Sequence, residues 1–281
     1  MIDVNLKERL GFGTLLFATL LVVIPVALII WLIVARGWTA LSWEFLMTMP
    51  RNGMRSGGIF PAIVGTFYLV LGSIAFSLPI GVLAAIYLSE YAKDNTLTRI
   101  INLAIINLAG VSSVVYGLFG LSLFVIFLKF GVSLISGSLT LGIMTLPVII
   151  TTTRESLRAV PKYFREVSLS LGTTRWQTIR HSVLPFAFPG ILTGAILSIG
   201  RVAGETAPIL FTVAAFYLPN LPHSAFDQAM ALPYHLYIIS TQIPNIPQDY
   251  RYGTAMVLVG LVLVMNISAI IIRAKFRKKR W

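Results

Sequence analysis

Arg201 and Glu205 stand four residues apart in the run Gly200-Arg201-Val202-Ala203-Gly204-Glu205-Thr206-Ala207-Pro208, inside a stretch that is otherwise apolar. At that spacing a helix carries both side chains on one face, about one turn apart. Charges within a long apolar segment are expensive and face protein interior or a water-filled path. Two chemistries fit the pair. It can neutralise itself and pin helix packing. Or it can line the path of an oxyanion, because a guanidinium stays charged in any environment and its planar fork of donors matches phosphate-type oxygens. In that role Glu205 holds the arginine in place, tempers its grip so that an anion can also leave, and can accept a proton from monobasic phosphate. The donor geometry favours the second chemistry.

A second constellation lies in the charged stretch 154–185. Pro161 suits the first turn of a helix. Phe164, Val167 and Leu171 follow at i, i+3 and i+7, an apolar stripe opposite Lys162, Arg165 and Glu166. Gly172 reads as a helix stop, and Thr174 with Gln177 as a capping box opening a second short helix. Pro185 marks the next break. The expectation is helix, turn, helix, outside a bilayer. A solvated connector is the plain reading. A DNA-reading helix-turn-helix is disfavoured, since the segment is tethered at both ends to apolar runs and lacks a third supporting helix. A docking helix, with its apolar stripe filling a groove on a partner protein, is the third reading.

These residues have to be positioned by long apolar elements. Of 281 residues, 57% are hydrophobic and 11% charged, against roughly a quarter charged in a soluble domain. Six segments approach the roughly 20 apolar residues needed to cross a bilayer: 14–34, 63–88, 100–128, 139–153, 186–216 and 252–272. The fourth is short, and the fifth is interrupted by Pro208. The first is too long for the apolar core of a cleaved signal and is expected to be retained. This predicts an all-α, polytopic membrane protein of about six transmembrane helices. Segments two, three and five carry small residues, including Gly65, Gly72, Gly117, Gly190 and Gly194, that let helices approach closely in lipid.

The net charge of +12 belongs to topology, not to nucleic acid. With the N-terminus inside, the inner regions carry 16 Lys/Arg and the outer regions 5, so both termini are expected to face the cytoplasm. The basic run 273–280 reads as an anchor against anionic lipid. Trp38, Trp43, Phe45, Tyr217, Tyr234 and Tyr237 in the outer loops read as an interfacial aromatic belt. Asn102, Asn107 and Asn266 read as interhelical hydrogen-bonding groups. There is no cysteine, which excludes disulfides and thiolate metal sites. His223 and His235 lack the short ligand spacing of a metal site. No Walker-type glycine loop is present, so any ATP must be hydrolysed elsewhere.

The loop carries a resemblance. Glu166-Val167-Ser168, Gly172, Leu184 and Pro185 are similar in spacing to the E-A-A-x3-G-x9-I-x-L-P loop of ABC importer permeases. Val167, Ser168 and Ser182 depart from that pattern. The run Leu184-Pro185, Pro189-Gly190, Thr193-Gly194, Arg201, Glu205-Thr206-Ala207-Pro208 further resembles PstA-type permeases of phosphate ABC transporters, over nearly the whole chain.

The resemblance implies a type I ABC importer permease fold in a bacterial inner membrane. It divides the chain into an N-terminal region 1–62, a permease domain 63–272 and a basic tail 273–281. Arg201, Glu205 and Thr206 would belong to the translocation path, and Phe164, Glu166, Val167, Leu171 and Gly172 to a coupling helix. The implied partners are a PstC-type permease, two ATPase subunits that bind the ATP and magnesium, and an extracytoplasmic phosphate-binding protein. No cofactor is expected on this chain itself. The alternatives are a permease for another oxyanion or small solute, a membrane enzyme, and a channel. An enzyme would need a convergent polar constellation that the spans lack beyond Arg201 and Glu205, and a channel would need no ATPase-docking loop.

Overall fold

The computed structural model describes residues 4–278, so the end of the basic tail lies outside the described residues. In hydrocarbon each backbone N–H and C=O must be satisfied within its own segment, so the apolar runs become helices. α1 (Val4–Gly37) is followed by the short α2 (Trp43–Met47), capped by the Ser42 hydroxyl, which accepts from the Phe45 N–H. A two-stranded hairpin comes next, β1 (Pro50–Arg51) against β2 (Ser56–Gly57), antiparallel with Pro50 opposite Gly57. α3 (Phe60–Ile86) ends in a π-helical turn, Tyr87–Tyr91. α4 (Thr96–Ala109), α5 (Ser113–Gly120) and α6 (Leu134–Arg158) lead to the loop helices α7 (Lys162–Ser170) and α8 (Arg175–Thr178). α9 (Leu184–Gly204), α10 (Ala207–Thr212), α11 (Leu232–Thr241) and α12 (Gln248–Lys278) complete the chain.

Among the described residues, five helical segments are long and apolar enough to cross a membrane, and six do so if the bent pair α4–α5 counts as one span. Three expectations need correction. The segment 100–128 is not one helix: α4 and α5 meet at 105°, where Ser112 takes an extended conformation. Tyr116 covers that bend by donating its hydroxyl to the Leu108 carbonyl at 2.8 Å. The fourth span, expected at 139–153, runs the full 25 residues of α6. Pro185 does not break the chain. α8, a π-helical turn at Ile179–Val183 and α9 run on as one segment, Arg175–Gly204, and the π-helical turn lies just before Pro185, which has no N–H to give to the turn preceding it.

α6 is the most enclosed span, and close glycine contacts join it to its neighbours. On α9, a Cβ at Gly190 or Gly194 would collide with Ser156 or Thr152 of α6. On α3, Gly72 lies against Ser138 and Gly81 against Ile149. The α6 hydroxyls are turned onto their own helix, as where Thr152 and Ser156 donate to Val148 and Thr152 carbonyls at 2.8 and 2.6 Å. The N-terminal donors of α6, which have no intrahelical partner, are met by returning chain. Ser133, Leu134 and Ile135 N–H groups donate to the carbonyls of Thr212, Asp227 and Ala225 at 2.9–3.0 Å. α1 stands apart and meets α12 at one end, where Gly37 abuts the Tyr252 carbonyl and the Arg36 guanidinium lies 5.5 Å from the Tyr252 ring centre. From the other end of α12, Arg273 donates to the Thr193 hydroxyl at 2.9 Å.

The packing makes a prediction. A side chain at Gly65 would meet the Met230 backbone carbonyl, which has no rotamer with which to retreat, whereas Gly260 faces open space. Gly65→Val should destabilise the purified protein by about 1–3 kcal/mol or more, read as a lower thermal midpoint in detergent. Gly260→Ala should leave the midpoint level or slightly raised.

Candidate functional site at the helix break

α9 stops at Gly204 because the next residues cannot continue it. Glu205 turns to extended geometry, φ −74° and ψ 138°. Pro208 then brings no N–H, restricts Ala207 before it, and occupies the first turn of α10. The sequence expectation put the interruption at Pro208 within a single span and Arg201 and Glu205 on one helix. The observed break falls three residues earlier, and Glu205 lies just past the helix end. The pair survives this correction. Arg201 Nε donates to Glu205 Oε1 at 3.5 Å, with side-chain exposures of 33% and 16%. Arg201 occupies the last turn of α9, where the helix dipole favours a cation.

Thr206 follows in the break, its carbonyl accepting from Leu210 N–H at 3.0 Å and its hydroxyl making no cap bond. The break is held from the side by Gly117 of α5, where a Cβ would press on Pro208 and the Phe211 ring. Gly117 was legible in the sequence as one small residue among many, with nothing local to tie it to residues ninety positions on. Elsewhere, Asn102 accepts from Arg154 at 2.6 Å, joining α4 to α6, and Asn266 of α12 lies against Gly200.

The loop is helix, turn, helix as expected. Gly172 sits at φ +78°, a left-handed conformation open to glycine, and Thr174 with Gln177 forms both bonds of the capping box, at 2.8 and 3.3 Å. The apolar stripe is not a single face. Phe164 turns to the bundle, its ring 4.6 Å from that of Phe186, and packs against the cluster of Ile86, Leu157 and Val183. Val167 and Leu171 face outward, 56% and 78% exposed; α7 ends at Ser170, so Leu171 has left the helix. Glu166 is exposed.

Sequence reasoning missed Arg165, which it placed on the solvent side. Its guanidinium grips both oxygens of Glu90, at 3.1 and 2.7 Å, and also donates to the Val160 and Leu157 carbonyls at 2.9 and 2.8 Å. Glu90 is 75 residues away in the π-helical turn after α3, so no local spacing announces the pair. Among the described residues, three ion pairs form: this one, Arg201–Glu205, and the exposed Arg99–Asp94. The two partly buried pairs differ in kind. Arg165 has filled its fork, while both terminal nitrogens of Arg201 have no protein partner among the described residues.

Residues 77–281 match the model of the family described as "Binding-protein-dependent transport system inner membrane component". The chain belongs to this family. It is therefore a multi-pass inner-membrane component of an ABC importer, a class that works with ATPase and substrate-binding partners. It is 35% identical to "Phosphate transport system permease protein PstA 1" of Mycobacterium tuberculosis, over 98% of this chain and 93% of that one. It is 34% identical, over 94% of each chain, to a Bacillus subtilis protein named "Probable ABC transporter permease protein YqgI". Among solved structures, a bacterial ABC transporter involved in the import of the acidic polysaccharide alginate contains a chain of like fold. The TM-score is 0.63 at 16% identity, covering 96% of this chain and 99% of that one. That likeness concerns the fold, a type I importer permease.

Gly172 tests the loop geometry directly. A β-branched residue in the left-handed region is disfavoured by roughly 1–2 kcal/mol. Gly172→Val should therefore loosen the α7–α8 turn, seen as several-fold faster trypsin cleavage at Arg175 with the spans still intact.

Proposed function

We propose that this chain is the transmembrane permease subunit of an ATP-driven importer of inorganic phosphate, with Arg201, Glu205 and Thr206 lining part of the path. The observation that carries the proposal is the open fork of Arg201. A guanidinium held at one nitrogen, in the last turn before a helix break, keeps its two terminal nitrogens for an incoming oxyanion. Discontinuous membrane helices place substrate groups at such breaks in other transporters. Phosphate is favoured over other oxyanions by the likeness to the Mycobacterium tuberculosis protein named for phosphate transport.

In this reading both termini and the 154–185 loop face the cytoplasm, following the positive-inside bias. The chain is then divided as 1–62, 63–272 and 273–281. α7, with Glu166, Val167 and Leu171 outward, Phe164 anchoring it and Gly172 turning it, docks an ATPase. A PstC-type permease, two ATPase subunits and an extracytoplasmic phosphate-binding protein complete the complex. ATP and magnesium reside on the ATPases, and this chain carries out transport and not catalysis.

Two experiments test it. Arg201→Gln removes the charge and most of the fork, so phosphate uptake should fall about 10- to 100-fold, the equivalent of about 1.5–3 kcal/mol for a charged hydrogen-bonding group, while the complex still assembles. A purely structural pair would instead leave Glu205 unpaired and lower the protein level. In that case the double change with Glu205→Gln would restore both assembly and uptake; robust uptake by that double variant refutes the site. Glu166→Lys should weaken co-purification with the ATPase and lower substrate-stimulated ATP hydrolysis. If neither measurement moves, the loop is a connector and not a docking element.

A further inference from the structure

The Arg165–Glu90 contact has a position that simple loop folding does not require. Arg165 belongs to α7, the helix whose outer face carries Glu166 and Val167. Its guanidinium reaches two other elements at once. Nε and one terminal nitrogen take the Glu90 carboxylate at the end of α3 in a bidentate grip. Two further bonds run to the carbonyls of Leu157, in the last turn of α6, and of Val160, two residues past its end. One side chain thus ties α7 to both α3 and α6. The side chains of the pair are 22% and 11% exposed, so water screens the contact less than at the surface.

Phe164 packs α7 on the bundle against Ile86, Leu157 and Phe186, and the polar tie beside it is the clasp. Clefts of about 430 and 210 Å³ open beside it, the first bordered by Arg158 and Lys162 and the second by Arg175 and Thr178. α3, α6 and α9 are joined along their lengths by the glycine contacts at Gly72, Gly81, Gly190 and Gly194. Interiors packed this tightly shift as units and do not deform continuously. A displacement of α7 therefore reaches α3 and α6 through Arg165 as well as through Phe164, and α9 through those helices and through the Phe164–Phe186 contact. Arg201 and the Glu205–Thr206 break lie at the far end of α9.

We infer that the Arg165–Glu90 clasp is the positioning link through which the loop moves α3 and α6, and with them the helix break that carries Arg201. This rests on the permease reading given above. It assigns Arg165 a part distinct from docking: Glu166 and its neighbours meet the partner, and Arg165 passes the displacement on.

The test uses the whole complex in lipid vesicles. Gly204→Cys supplies a reporter beside the break, since its position faces open space and the chain has no cysteine. The rate at which a thiol reagent labels it is measured with and without ATP. Coupling between distant sites typically spans about 5- to 150-fold, so with the clasp intact ATP should change the labelling rate at least about fivefold. In the Arg165→Lys background the charge remains but the fork is lost. The ATP-dependent change should then fall below about twofold while ATP hydrolysis and co-purification of the ATPase persist. Glu90→Gln should act in the same direction. The pair of changes together should be no worse than Arg165→Lys alone, because both remove one interaction.

An undiminished ATP response in Arg165→Lys overturns the inference. So does loss of assembly and hydrolysis together in both single variants, which would make the clasp a folding contact only. The labelling needs no particular substrate, so failure of the intact complex to take up phosphate would refute the phosphate reading and leave this measurement valid.

Discussion

Hydrocarbon offers no hydrogen-bond partner, so a span can stop being helical only where protein covers the backbone groups that the break releases. The interruption at Glu205–Thr206 meets that condition. Glu205 N–H finds the Val202 carbonyl at 3.3 Å, the Thr206 carbonyl is taken up by Leu210, and α5 closes over the far side through Gly117. The bend between α4 and α5 is covered the same way, by the Tyr116 hydroxyl. These two breaks shape the region around Arg201. Without them α9 and α10 would form one straight helix, with the charge pair stacked along its face.

The two partly buried arginine–glutamate pairs show why a list of charged residues is a poor guide to function. Arg165 places four hydrogen bonds, two on a carboxylate and two on the Leu157 and Val160 carbonyls, which leaves one of its five N–H donors. Arg201 makes one long contact and stays a third exposed. A desolvated charge with spare donors is unfavourable in isolation and becomes favourable when an anion arrives. The difference lies in partners and distances, and both pairs have the same chemistry on paper.

Peripheral and central helices contribute differently. α1 has its apolar surface almost wholly outside the fold and joins the bundle mainly through α12, at Gly37 and Tyr252. α6 is enclosed, and its neighbours α3 and α9 approach through glycines, of which Gly72, Gly190 and Gly194 oppose hydroxyl side chains and Gly81 opposes Ile149. In a lipid environment packing and not hydrophobic burial drives such contacts. The enclosed helices therefore hold the geometry, and the open ones border lipid or other subunits.

Much of this was legible in the residues alone. Uncharged runs of twenty or more residues determine helices, because a helix is the arrangement in which one such run satisfies its own backbone groups in lipid, and the Thr174–Gln177 box and Gly172 turn follow from local spacing. Arg201 and Glu205 stood out because charge is rare in an apolar run. What the sequence could not determine was decided by contacts between distant segments. The inward turn of Phe164 onto Ile86 and Phe186 and the grip of Arg165 on Glu90 each depend on a neighbour tens of residues away. The places of the Glu205 break and the 105° bend are settled by how the broken ends pack. Local periodicity reports which face of a helix is apolar. Only the tertiary structure decides which neighbour that face meets, since that choice is made by shape and by unsatisfied polar groups brought together in space.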